Sequence, residues 1–299
     1  MSKRNIQYSL LVFALLIVNG YLFFSKGQHT ASSFDDSLFS VADTSSILSV
    51  AINVEEKTVL LEKKEVGWSL NNRYQVDPGF KDVLFSVLKR IKIKREIGDW
   101  DLPKLGSISI SLSNQSLDFE FATDALGTRT FFIQNGVAYQ VEVPGYRDNA
   151  ANIFQLTEDQ WRDRLVLDAS WRTIQKLSLD RKGESLTISF NDQFFEVDGV
   201  SEIDSSAVVD YLNQFQFFQA NEMISKGAFP EMDSLRETSP IAVLSIDDIK
   251  KEKPTVFKIY PALAGQSYQL MVSDKGEMMV FSLDRMKRIL KTSLYFKAK

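Results

Sequence analysis

The sequence predicts an α+β protein: one N-terminal transmembrane helix, then two tandem repeated lobes, each of antiparallel strands, an amphipathic helix and a β meander. Three observations lead there. Residues 38–91 return without a gap, 127 positions later, as residues 165–218. The matched positions carry strand-period apolar residues and then a helical stripe, pairing Ile47 with Ile174, Ile52 with Leu179, Val59 with Leu186, Leu61 with Ile188 and Trp68 with Phe195. A 19-residue run without a charge, opening on Ile6 and closing on Phe24, precedes both copies.

Composition sets the bounds. A chain of 299 residues is long enough for two domains of about 100–150 residues each. Its 44% hydrophobic and 25% charged content is that of a globular protein with room for a core in each half. A net charge of −4 argues against a nucleic-acid binder, which needs a basic face to displace counterions from phosphate. The absence of cysteine excludes disulfides, thiolate metal sites, cysteine nucleophiles and an acylated lipoprotein cysteine. The single histidine, His29, sits in a polar linker and reads as solvated.

Residues 1–5, with Lys3 and Arg4, form a cytoplasmic N-terminus, and residues 6–24 a transmembrane helix. Twelve of those 19 are Leu, Ile, Val or Phe, each worth about −0.3 to −0.6 kcal/mol at a helix centre. An uncleaved anchor is favoured over a cleaved signal. The run exceeds the usual signal core of about 7–15 residues, and Phe23, Phe24, Ser25 and Lys26 offer no small-x-small cleavage site. Lys3 and Arg4 before the span, against Lys26 after it, orient the N-terminus inward. The expected location is therefore a membrane crossed once, with the bulk of the chain extracytoplasmic. Residues 25–36 are a polar linker.

The first lobe spans residues 37–162. Strands are expected at 38–41, 47–54, 58–61 and 68–70. A helix opens at Asp77 and Pro78: the carboxylate accepts first-turn amides, and proline at the first helical position sacrifices no hydrogen bond. Phe80, Leu84, Val87, Leu88 and Ile91 then share one stripe. Residues 95–106 read as a loop. A meander follows at 108–112, 117–121, 130–133 and 137–141, with Asn135-Gly136 as its strongest hairpin signal, and then a helical connector at 148–161. The second lobe, residues 163–299, repeats the plan. Its strands lie at 165–167, 174–179, 186–190 and 194–197, and Asp204 caps a helix carrying Val208, Tyr211, Leu212, Phe215 and Phe218. Residues 226–240 are a loop, residues 241–281 a second meander, and residues 283–294 a terminal helix.

Little in the sequence carries chemistry. Ser86 and Lys89 have the Ser-x-x-Lys spacing of penicillin-recognising acylases but fall inside a helix. Asp192, Glu196, Asp198, Glu202, Asp204 and Asp210 form an acidic run without calcium-loop spacing, read as a solvated face plus a helix cap. No catalytic, cofactor-binding or metal-binding residue is assigned. The candidates are partner-binding. Trp100 and the pair Phe229 and Pro230 are large apolar groups in corresponding loops, serving as interface anchors or folding back on their lobes. Arg285 and Arg288 belong to a basic terminal helix that either meets an acidic surface or complements its own dipole.

Leu38-Phe39-Ser40-Val41, the strand at 47–52, Gly67-Trp68-x-Leu70, Val76-Asp77 leading into the helix, Val137-Ala138-Tyr139 and Leu165-Val166-Leu167 resemble the domain of unknown function 4340 family (DUF4340), over residues 35–295. The resemblance implies a bacterial protein held in the inner membrane by one N-terminal helix and often encoded beside ABC-transporter permease subunits of the gliding-motility type. It implies no catalytic residues. The expected function is that of a membrane-anchored extracytoplasmic accessory or scaffold protein of an ABC-type transporter or related envelope complex. It would act by protein–protein binding, with the membrane and a permease as partners and no enzymatic activity or cofactor. The alternative is a module that binds a small ligand or envelope polymer in the cleft between its lobes.

Overall fold

The computed structural model describes residues 35–100, 103–146 and 148–298. The first half contains β1 (Ile47–Val54), β2 (Lys57–Lys63), β3 (Trp68–Leu70), β4 (Tyr74–Gln75), helix α1 (Pro78–Arg90), β5 (Lys92–Asp99), β6 (Gly106–Leu112), β7 (Ser116–Thr123), β8 (Thr130–Gln134), β9 (Val137–Glu142) and the one-turn helix α2 (Glu158–Trp161). The second contains β10 (Leu165–Leu167), β11 (Ile174–Arg181), β12 (Glu184–Phe190), β13 (Phe195–Val197), α3 (Ser205–Leu212), β14 (Phe218–Gln219), β15 (Glu222–Ile224), α4 (Pro230–Arg236), β16 (Ala242–Asp248), β17 (Thr255–Ile259), β18 (Tyr268–Ser273), β19 (Met278–Ser282) and α5 (Leu283–Ile289).

Among the described residues each half builds one large antiparallel sheet. The first runs β4-β3-β2-β1-β6-β7-β8-β9-β5 and the second β13-β12-β11-β16-β17-β18-β19-β15. With β4 set aside, the two orders are the same. The likeness extends to single hydrogen bonds. The Asn71 amide donates to the Leu60 carbonyl at 2.8 Å, and 127 positions on, Asp198 donates to Thr187 at 3.0 Å. Asp77 accepts the amides of Gly79 and Phe80, as Asp204 accepts those of Ser206 and Ala207. The Asp77 amide donates to the carbonyl of Trp161, and the Asp204 amide to that of Phe296, both at 2.8 Å. β1 opposite β6 and β11 opposite β16 carry the same irregularity, between Ile47 and Ser49 and between Ile174 and Lys176.

One face of each sheet packs under its helix. In the first half Val50, Ile52, Leu61, Ile108 and Ile110 meet Leu84, Val87 and Leu88 of α1. In the second, Leu177, Leu179, Ile188, Leu244 and Ile246 meet Val208, Tyr211 and Leu212 of α3. Each such side chain contributes about 1.5–3 kcal/mol on burial. β8 and β18 are buried on both faces, which is why Phe131-Phe132-Ile133 and Leu270-Met271-Val272 are continuous apolar runs instead of alternating ones. Phe132 and Met271 face the main cores, while Phe131, Ile133, Leu270 and Val272 form smaller clusters behind them. In the first half Trp100 covers that rear cluster; in the second, Met232 and Leu235 of α4 do.

Several expectations are corrected. The protein is mostly antiparallel sheet, 41% strand against 21% helix, so the α+β class with an N-terminal transmembrane helix does not hold. One helix per lobe suffices to close a sheet face, and the remaining helices are a few turns or less. No helix among the described residues is long and apolar enough to cross a membrane. The longest, α1, has 13 residues, or about 20 Å at 1.5 Å per residue, against about 30 Å of hydrocarbon. The expected span at residues 6–24 lies outside the described residues, as do residues 1–5 and nearly all of the linker. The single-pass inner-membrane, extracytoplasmic placement is therefore not retained. Within the lobes, residues 38–41 form a turn that buries Phe39 and Val41, not a strand. Half of the expected loop at 95–106 is edge strand β5 and the start of β6. The expected loop at 226–240 contains α4, and the terminal helix stops at Ile289 before a 3-10 turn at Ser293–Phe296.

The pairing of β6 with β1 leaves no room at one position. A Cβ on Gly106 would stand 2.1 Å from the Asn53 carbonyl oxygen and 2.9 Å from Phe121 Cε1. The Gly106→Ala variant is expected to lose about 1–3 kcal/mol of stability through overpacking, read as a lower urea midpoint.

Candidate functional site

The lobes meet along a seam formed by residues 157–165 on one side and by β15 and the β18–β19 hairpin on the other. At its centre is Arg162, only 3% exposed. Its Nη1 lies 3.3 Å from Asp159 Oδ1 and its Nη2 3.3 Å from Glu277 Oε1, so it ties the first lobe to the second. Its guanidinium also stacks 3.9 Å from the Tyr74 ring centroid. A charge taken out of water needs such partners, because desolvation otherwise costs several kcal/mol. Asp159 reaches across as well: Oδ2 accepts the Ser225 amide at 2.8 Å and Oδ1 the Ser225 hydroxyl at 2.7 Å. Arg164 pairs with the capping Asp77 at 3.2 Å, and its carbonyl accepts the Ala220 amide at 2.8 Å.

Grooves run along this seam. One, of about 650 Å³, has apolar walls from Phe80 of α1, Met223 of β15, Ala228 and Phe229, with Asp159 and Arg164 beside them. A second, of about 540 Å³, has a floor that includes Phe257 and Met279 and a rim of Arg73, Lys251, Lys253 and Lys275. Asp163 also lines it. Burial, and after it the charge of Asp77, raises the Asp163 carboxyl above its ordinary value, against the lowering effect of the Leu165 amide that donates to it.

The predicted residues fall in different places. Phe229 and Pro230 stay together at the start of α4, exposed, with Phe229 on the groove wall. Trp100 lines none of these grooves: its ring packs on Phe131 at 4.8 Å, with Nε1 buried. The Arg285 guanidinium lies 4.6 Å over Phe218 and donates to the Gln219 carbonyl at 2.7 Å. Burial and then the neighbouring Arg288 lower its pKa. Arg288 is exposed on α5. Sequence reasoning missed Arg73, Phe80, Arg162, Met223, Lys253 and Lys275, which converge only through the docking of two lobes. Their one visible trace was the charged run from Lys250 to Lys253.

Asp204 serves as a helix cap. Ser86 and Lys89 lie within α1. Among the described residues no three His, Cys, Asp or Glu side chains converge as a metal would require. Burial pushes the Tyr211 hydroxyl pKa up, and that hydroxyl donates to the Ile289 carbonyl at 2.8 Å, fixing the end of α5. Comparison with protein-family models, curated proteins and solved structures finds no match to this chain.

Two outcomes test the seam. Arg162→Ala, which removes both ion pairs and the stacking on Tyr74 but leaves Glu277 open to solvent and Asp159 still held by Ser225, is expected to cost about 1–3 kcal/mol, measured by chemical denaturation. For Asp163, whose folded pKa is raised, stability is greatest below the ordinary aspartate value of 3.8 and falls as pH climbs through the raised value. Asp163→Asn should therefore raise the thermal midpoint at neutral pH, with the gain vanishing as the pH drops below that ordinary value.

Proposed function

We propose that this protein is an accessory or scaffold protein that works by binding a partner protein across the seam of its lobes, without catalysing a reaction. The observation carrying this reading is Phe229. It occupies the N-cap of α4 and makes no side-chain capping bond. Serine, aspartate or asparagine there would add about 1 kcal/mol. The aromatic ring stands 51% exposed on the wall of an apolar groove instead. A local stability rule is broken with no compensation inside the fold, and such breaks gather at functional positions. Exposed aromatics beside a concave apolar surface are the usual anchors of protein interfaces.

The resemblance to DUF4340 supplies the partner class to try first, a permease subunit of an ABC-type transporter. The reading itself does not depend on residues 6–24. A second reading, a small ligand held between the lobes, draws on the cationic rim of the 540 Å³ groove.

Co-purification with a co-expressed permease subunit provides the test. The natural protein should retain it. Phe229→Ser should lose at least about tenfold in retention, equivalent to about 1.4 kcal/mol, while its own stability holds or rises by about 1 kcal/mol from the new cap. Equal retention by both proteins, or none by either, would remove the reading's support.

A further inference from the structure

The grooves along the seam form one track. The 540 Å³ groove and a smaller one of about 200 Å³ share Arg73, Tyr74, Arg162, Lys275 and Glu277. The smaller one in turn shares Ser225 and Lys226 with the 650 Å³ groove that holds Phe229. Chemistry changes along its length. At one end Phe80, Met223 and Phe229 present apolar surface. At the other, Arg73, Arg162, Lys251, Lys253 and Lys275 face Asp163, Asp274 and Glu277, an excess of cations in a chain whose net charge is −4.

That excess is available. Glu277 is engaged by Arg162. Lys251 donates to the Thr255 hydroxyl at 2.9 Å, and Arg73 stacks on Tyr74 at 4.8 Å; neither is neutralised. Among the described residues Lys253 and Lys275 have no ion-pair partner. Like charges gathered in a concave wall focus their field outward and raise the local concentration of anions.

We infer that the track binds an extended acidic segment of a partner protein, its carboxylates over Arg73, Lys253 and Lys275 and an apolar side chain against Phe229, Phe80 and Met223. This rests on the partner-binding reading and adds the partner's chemistry. Charge complementarity selects the acidic end and the apolar groove selects the other. A long concave track with walls from both lobes suits an extended chain better than a folded domain, which would meet a flatter face.

The test uses the full-length protein and a fluorescein-labelled peptide in which glutamate alternates with glycine before a terminal Leu-Phe, followed by anisotropy. Saturable binding that weakens with added salt is expected. The Lys253→Glu/Lys275→Glu double variant, altered only at exposed unpaired side chains, should lose at least about tenfold in affinity with an unchanged thermal midpoint. Deleting Leu-Phe from the peptide should weaken it comparably. The inference is overturned if a lysine-for-glutamate peptide binds as well, if the double variant binds like the natural protein, or if tripolyphosphate displaces the peptide and Leu-Phe proves dispensable, which marks a small-polyanion site. Partner retained by the lysine variant but lost by Phe229→Ser overturns the acidic segment alone. Partner retained by Phe229→Ser overturns the reading beneath it.

Discussion

The guanidinium of Arg162 has almost no access to water, so it must find its counter-charges within the protein, and it finds one in each lobe, Asp159 and Glu277. That requirement is a constraint on geometry as much as a source of attraction. Both carboxylates have to stay within reach, the Tyr74 ring has to lie beneath, and the hairpin bearing Glu277 cannot swing away without stranding a buried charge. The grooves on either flank inherit their shape from that pin.

The two sheets show which parts of a duplicated unit are held by physics and which are free. Strand order, the capping aspartates and the turn after the third strand are common to both. That turn spans four residues in each, with Asn71 and Asn72 both left-handed in one copy (φ 49° and 55°) and Gly199 alone in the other (φ 76°), residue types that tolerate it. Difference collects on the rear of the meanders. There one tryptophan closes the first sheet, whereas a short helix closes the second. The helix brings its own N-terminus to the surface, and with it Phe229 at the seam.

Much of the fold could be read in the sequence because a repeat converts weak local patterns into a matched pair. The strands at Ile47–Val54 and Ile174–Arg181, the two Asp-capped helices and the Asn135-Gly136 hairpin all follow from local spacing. β5 did not, since Lys92, Lys94, Arg95 and Glu96 mask its alternation. As an edge strand it carries charges and two bulges that discourage further pairing. The overall class was misjudged because helical stripes are conspicuous in sequence while paired strands are many and short. Of the candidate site, only Phe229 and Pro230 were visible. Arg162 and Glu277 are 115 residues apart, and no local pattern announces that a cation and an acid at that distance will share a buried contact.

Each lobe is also fastened shut by its own late residues: the amide of the helix-capping aspartate is received by the carbonyl of a fully buried aromatic, Trp161 in one and Phe296 in the other. The first lobe is therefore closed by residue 161, ahead in the chain of every strand of the second sheet. Closure within each lobe is thus local to its own stretch of chain, whereas the joint between the lobes draws on Glu277, 115 residues beyond the arginine it meets.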